Sequence, residues 1–276
     1  MDITTKTRLE KRARDMRRHI LRMIAAAGSG HPGGSLSAAD IMATLYFHVM
    51  RVDPQRPNWP LRDRFVLSKG HAAPVLYAAL AECGFFPVEE LTSLREFGSY
   101  LQGHPDYKQT AGVDASTGSL GQGLSIAVGM ALAARLDAKD YRVFALLGDG
   151  ELQEGQIWEA AMSAAHYRLG HLVALVDCNG LQIDGEVERV MSIAPLKEKW
   201  QAFGWYCLEV DGHAVDQIAH AIDEASTVRP TVILARTIKG RGVPFMEGRA
   251  EWHGKAPSSD QLQDALAALN KEDEDV

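Results

Sequence analysis

Cysteine is scarce in this 276-residue chain. Cys83, Cys178 and Cys207 are too few and too scattered for a disulfide framework or a cysteine-rich zinc site. Long apolar runs are missing as well. None approaches the ~20 residues that a membrane-spanning helix needs. Basic excess is absent: 29 Lys and Arg against 36 Asp and Glu give a net charge of −7, which argues against binding to a nucleic-acid duplex. The first residues, MDITTKTRLEKRARDMRRH, carry no apolar stretch of the kind that marks a secretory signal. Asp2, Glu10 and Asp15 speak against a transit peptide, so the cytosol is the expected compartment. What the chain does have is 46% hydrophobic and 24% charged residues, enough apolar material to exclude disorder and build one large domain.

Periodicity predicts a helix over residues 5–27, with Leu9, Met16, Ile20, Met23 and Ile24 inward and a solvated basic face. It ends at the run Gly28-Ser-Gly-His-Pro-Gly-Gly34. Ser37 reads as an N-cap, with Asp40 at its third position, opening a helix towards Met50. Residues 53–60 read as a Pro-rich loop, 64–68 as a short strand and 70–83 as an Ala-rich helix. Beyond residue 143, continuous apolar strands (143–147, 172–176, 206–210 and 231–235) are separated by helices over about 156–167 and 216–227. Strands apolar at every position, alternating with helices, imply an α/β fold with a mostly parallel sheet covered on both faces. The expected organisation is a single domain over residues 1–270, then an acidic tail, 271–276, that frays into solvent. Ligands of such sheets bind beyond the carboxyl ends of the strands.

Two motifs sit at those ends. Gly148-Asp149-Gly150-Glu151 follows the strand ending at Leu147. Asp177-Cys178-Asn179-Gly180 follows the strand ending at Val176, with Asn179 placed 30 residues after Asp149. Adjacent parallel strands put both side chains on one sheet edge. A carboxylate and an amide oxygen make a partial shell of hard oxygens, suited to Mg²⁺ or Ca²⁺. Two such ligands leave positions for a carbonyl, water and a diphosphate. Gly150 lets the backbone approach a phosphate. Either motif alone is most simply a strand-to-helix turn; the pair at this spacing is what points to a site.

These motifs resemble the cofactor signature of thiamine-diphosphate enzymes. More narrowly, the chain resembles the transketolase family. Seven blocks occur in order: Ser29–Ile41, Leu67–Leu80, Gln102–Asp106, Ser116–Ala133, Gly148–Ala160, Val176–Gly185 and Lys239–Gly254. The resemblance implies the thiamine diphosphate-binding fold and transfer of a two-carbon ketol unit from a ketose to an aldose. Because it covers only the first part of a full transketolase, it implies the N-terminal subunit of a split enzyme. A separate C-terminal subunit would carry the pyrimidine-binding domain, the pair forming a heterotetramer that acts on sugars or sugar phosphates.

Roles follow from the resemblance residue by residue. Asp149, Asn179 and the Leu181 carbonyl would bind Mg²⁺ or Ca²⁺. His71, Gly150, Glu151, Asn179 and His253 would contact the thiamine diphosphate, with Gly118, Ser119 and Leu120 along it. His31, His104 and His253 would handle protons at the substrate, and Glu154 would couple paired sites near the partner subunit. The residues themselves make the histidine roles chemically sensible. His31, His71, His104 and His253 lie in glycine- or tryptophan-flanked loops, and imidazole both donates and accepts near neutrality. His19, His48, His166, His171 and His220 read as structural or exposed, and His213 as a cap. Lys239-Gly-Arg-Gly242 reads either as a phosphate-binding turn or as a glycine loop that closes over the site. Two rivals stand beside this reading: the α subunit of a 2-oxo acid dehydrogenase, and a cofactor-binding regulatory subunit without catalysis.

Overall fold

The computed structural model describes residues 1–274, the last three by backbone alone. Helix α1 (Ile3–Ala27) is capped by the Asp2 side chain and ends at Gly28, whose φ of 60° is the left-handed stop that glycine adopts most easily. Short helices α2 (Pro32–Ser37) and α3 (Ala39–Thr44) follow, then strand β1 (Arg64–Leu67) and α4 (Ala73–Cys83). Next come α5 (Gln122–Leu136), β2 (Val143–Gly148), α6 (Gly155–His166) and β3 (Leu172–Cys178). A two-stranded hairpin of β4 (Leu181–Gln182) and β5 (Gly185–Glu186) leads to α7 (Val187–Met191) and α8 (Leu196–Ala202). Strand β6 (Tyr206–Asp211), α9 (Val215–Asp223), β7 (Thr231–Arg236) and α10 (Ser259–Glu274) complete the chain.

The main sheet has five parallel strands in the order β1-β2-β3-β7-β6. Their side chains alternate between two cores. Phe144, Leu146, Val173, Leu175, Ile233 and Ala235 pack with α1, α3, α4 and α9 on one face. Val143, Ala145, Leu147, Leu172, Ala174, Val176, Val232 and Leu234 pack with α5, α6 and Trp200 of α8 on the other. This two-sided burial is why the central strands are apolar along 143–147, 172–176 and 232–235 rather than at alternate positions. No helix among the described residues is long and apolar enough to cross a membrane.

Four local expectations need correction, the first being the solvated basic face of α1, where Arg14, Arg17 and Arg18 are buried and Arg17 pairs with Asp40. Ser37 does not cap a helix: it lies in the last turn of α2, and α3 opens at Ala39. Its hydroxyl donates to the Asp177 carboxylate, 2.5 Å away, so a buried carboxylate outside the helix claims the group that the cap would have used. Helix α9 stops at Asp223 instead of near Thr227. There the chain turns: the Ser226 hydroxyl accepts from the Val228 and Arg229 amides, and Thr231 accepts from Ser226 N–H. His213 does not cap α9, whose N-terminus has no side-chain cap; it bridges Asp40 and the Ile238 amide. As for the acidic tail, α10 carries it through Glu274, and Asp275 and Val276 lie outside the described residues.

Candidate active site

The register of β2 and β3 pairs Gly148 with Asp177, so the residues that follow each strand emerge side by side at the carboxyl edge of the sheet. Asp149 is 5% exposed. One of its oxygens accepts from Gly150 N–H at 2.8 Å and the other from Gly180 N–H at 2.6 Å, which stitches the two strand ends together. Asn179 Oδ1 accepts from Leu181 N–H at 3.1 Å. Burial, reinforced by the neighbouring charge of Asp177, pushes the Asp149 carboxyl up to about 6.

Asp149, Gly150, Asn179 and Leu181 line one cavity of about 160 Å³, together with His71, Leu120, Glu151, Glu154 and His253. The structure therefore brings most of the expected site residues to one place. Glu151 lines the cavity with its oxygens already engaged, accepting from Ser68, Gly121 N–H and Gly148 N–H. It ties the 118–121 loop to the end of β2. Glu154 is exposed at the rim. Gly118 and Ser119 do not line the cavity. A Cβ on Gly118 would meet the His104 ring at 3.1 Å, and Ser119 is exposed.

The loop imidazoles converge. The ring centres of His31, His71 and His253 lie 5.1–5.4 Å apart, whereas His104 stands apart against Gly118. All four resist protonation. Burial, then Lys239 and His31, bring His253 down to about 3. Burial, then Arg95, His104 and Lys239, bring His31 down to about 4. His71 falls well below the ordinary range through burial and Lys69, and His104 is lowered by burial and Arg95. Neutral imidazoles can both donate and accept, the property that proton exchange with hydroxyl and carbonyl oxygens requires.

Three charged groups complete the site: Lys69 and Asp177 were not picked out as site residues, and Lys239 was read only as part of the 239–242 loop. Lys69, just past the end of β1, is 2% exposed and pairs with the fully buried Asp177 while donating to the Gly34 carbonyl at 2.8 Å. Asp177 also accepts from Ser37, Thr237 and Asn179. Lys239, also 2% exposed, reaches the Leu181 carbonyl at 3.2 Å and His253 Nδ1 at 3.0 Å. Burial and the nearby Lys69 lower it to about 8. The signal that could have found Lys69 and Asp177 is their position: each is a charged residue at the carboxyl end of an otherwise apolar strand. The loop carrying Lys239 is tied down, with Gly240 N–H donating to the Gly33 carbonyl at 3.0 Å. A Cβ on Gly33 would press on the Lys239 side chain and on the Trp252 carbonyl, both at 2.9 Å. Gly33 is thus needed for close packing.

Comparison with known proteins follows the same lines. The family model for the transketolase thiamine diphosphate binding domain matches residues 10–274. The chain is 47% identical to the 6-deoxy-6-sulfo-D-fructose transketolase subunit SqwG of Clostridium sp. (strain MSTE9), over 96% of this chain and 97% of that protein. It is 42% identical to an apulose-4-phosphate transketolase subunit of Phocaeicola vulgatus, over 95% and 94%. The crystal structure of transketolase from Campylobacter jejuni superposes with a TM-score of 0.90 at 32% identity, over 98% of this chain but only 43% of that chain. The chain belongs to the transketolase family and has the fold of its thiamine diphosphate-binding domain.

Proposed function

We propose that this member of the transketolase family is the diphosphate-binding half of a split enzyme. With thiamine diphosphate and Mg²⁺ or Ca²⁺, the enzyme moves a two-carbon ketol unit from a ketose to an aldose. The observation that carries the reading is one cavity at the ends of β2 and β3 that is lined by Asp149, Asn179 and Leu181 together with His71 and His253. The donor set suits a hard divalent cation: one carboxylate, one amide oxygen and one carbonyl oxygen. Asp149 is buried and, among the described residues, makes no ion pair with a cationic side chain, so a cation would relieve its cost.

Thiamine diphosphate supplies the carbanion stabilisation of such a reaction when bound. The chain's own residues bind and orient. His71, Gly150, Asn179 and His253 would hold the diphosphate end, with Gly118, Ser119 and Leu120 along the cofactor. His31, His104 and His253 would hold and move protons at the sugar's carbonyl and hydroxyl oxygens. Lys239 donates to His253 Nδ1, which leaves the ring proton on Nε2. Glu154, exposed at the rim, would face the partner subunit and couple paired sites.

The partner in this reading is a C-terminal transketolase subunit carrying the pyrimidine-binding domain, two copies of each chain forming a heterotetramer in the cytoplasm. Both subunit-sized relatives are named for sugars bearing an anionic group, a sulfonate in one and a phosphate in the other, which supports a substrate of that kind. The test is a ketose–aldose transfer assay with thiamine diphosphate and Mg²⁺, on this chain alone and with the candidate partner. Activity is expected only from the mixture. Robust turnover by the lone chain overturns the split-enzyme reading, and a silent mixture across a panel of ketoses overturns ketol transfer.

A further inference from the structure

Arg95 is a cation held at the site without a carboxylate. It sits in the loop after residue 93 with φ of 64°, a conformation uncommon outside glycine. Its backbone is fixed there by donation to the Leu101 carbonyl at 2.8 Å. Its guanidinium donates to Ser29 Oγ at 2.9 Å and reaches His31 Nδ1 at 3.5 Å. Room for it comes from Gly103: a Cβ there would stand 3.0–3.2 Å from the guanidinium carbon and nitrogens. Among the described residues no Asp or Glu pairs with it. Three separate features, a left-handed backbone, a glycine that clears space and a serine hydroxyl, thus converge on aiming one guanidinium at one imidazole.

Donor and acceptor chemistry then fixes the state of that imidazole. A guanidinium only donates, so His31 Nδ1 must accept, and the single proton of the neutral ring sits on Nε2. We propose that Arg95 is a positioning residue for ketol transfer, holding His31 as the Nε2–H tautomer in a fixed orientation. The consequence for turnover rests on the function proposed above; the effect on His31 does not. The charged and titratable groups facing His31 are Arg95, His104, His71, His253 and Lys239. Of these cations Arg95 alone hydrogen-bonds the ring, so removing it takes away both a hydrogen bond and a charge that opposes protonation.

The experiment labels the histidines of the full chain with ¹⁵N and titrates His31 by NMR in the unsubstituted protein, Arg95→Gln, Arg95→Lys and Gly103→Ala. The unsubstituted His31 should show the Nε2–H tautomer. Arg95→Gln should mix the tautomers and raise the midpoint of His31 by on the order of one pH unit. Arg95→Lys should keep the midpoint closer to its original value while loosening the tautomer preference. Gly103→Ala keeps the arginine but displaces it, and should act in the same direction as Arg95→Gln, which covers the case in which that variant does not fold. In the reconstituted enzyme Arg95→Gln should lower kcat by roughly tenfold or more, a part of the full acid–base contribution. Its acid limb should move up in pH, and thiamine diphosphate affinity should not change. An unaltered His31 tautomer and midpoint in both Arg95→Gln and Gly103→Ala overturns the proposal. If the unsubstituted chain with its partner transfers no ketol unit, the functional reading falls, while the NMR titration still decides the role of Arg95.

Discussion

Replacing Lys69 with Met should destabilise the fold more than any surface change, and the structure allows the size to be worked out. Lys69 is 2% exposed and Asp177 fully buried, so the substitution leaves a carboxylate in the interior without its cation. Breaking a buried pair from one side costs ~3–5 kcal/mol. Three neutral donors remain on Asp177, from Ser37, Thr237 and Asn179, and they hold the loss near the lower end, about 3 kcal/mol. For a chain of this size that is a fall in Tm of roughly 5–10 °C. Methionine preserves most of the length and apolar volume of the lysine stem, which keeps the cavity term small. Urea unfolding followed by circular dichroism measures the loss, with an unchanged slope showing that the same surface is exposed. Adding Asp177→Asn to Lys69→Met removes the stranded charge, so the double variant should recover about 2 kcal/mol relative to the sum of the single changes. A loss below about 1 kcal/mol in Lys69→Met, or strict additivity in the cycle, would refute the pairing argument.

Asp149→Ala should lower Mg²⁺-dependent affinity for thiamine diphosphate by at least the ~10–100-fold typical of outer-shell groups, as titration with and without Mg²⁺ would reveal. His31→Ala and His104→Ala should slow turnover by ~10²–10⁴-fold and leave cofactor affinity nearly intact, whereas His71→Ala should weaken the cofactor; the opposite pattern would reverse the roles given to them. Burial by itself would raise Asp40, but Arg17 and His213 outweigh it and the net direction is down. A depressed carboxylate contributes stability above its unfolded value of 3.8 and loses it as pH falls through the lower folded value. Asp40→Asn should therefore cost stability near neutrality and much less in strong acid. Equal losses at both ends of a urea–pH series would contradict this.

The sheet was legible in the sequence because its signal is local and repeated. The runs 143–147, 172–176 and 232–235 are apolar at every position since both faces are covered, and each falls inside an observed strand. Asp149 and Asn179 were legible for a related reason. Parallel register turns a separation along the chain into adjacency at one edge, and the pairing of Gly148 with Asp177 realises it. Helix ends were less legible, because the side chains that cap or terminate a helix can be captured by groups far away in sequence. Ser37 shows this: its hydroxyl is held by Asp177, 140 residues on. Helix α5 was not read from periodicity at all. Its buried face is built from glycine and alanine as well as Leu124 and Val128, so the contrast between its faces is weak.

The charged network behind the imidazoles was the least legible part, and the reason is physical. Lys69, Lys239, Arg95 and Asp177 are residue types whose ordinary place is the surface, so composition and periodicity single out neither Lys69 nor Arg95, and Asp177 and Lys239 stand out only as members of their motifs. Lys69, Lys239 and Asp177 are buried, and Arg95 half-buried, only because partners from distant segments meet them there. Lys69 after β1 meets Asp177 near the end of β3, Lys239 after β7 meets His253, and Arg95 meets Ser29 and His31. Every one of these contacts joins segments at the carboxyl edge of the sheet or beside it. That edge is where the backbone leaves regular hydrogen bonding and side chains must satisfy what the ladder no longer does. A buried cation beside an imidazole is costly to both, since each lowers the other's tendency to hold a proton. The fold bears that cost at His31, His71 and His253 together, whereas burial of apolar groups in those positions would have been less costly. Stability alone does not account for such an arrangement. An anionic diphosphate and a sugar rich in hydroxyl groups would be met there by two ammonium groups, a guanidinium and neutral rings able to exchange protons.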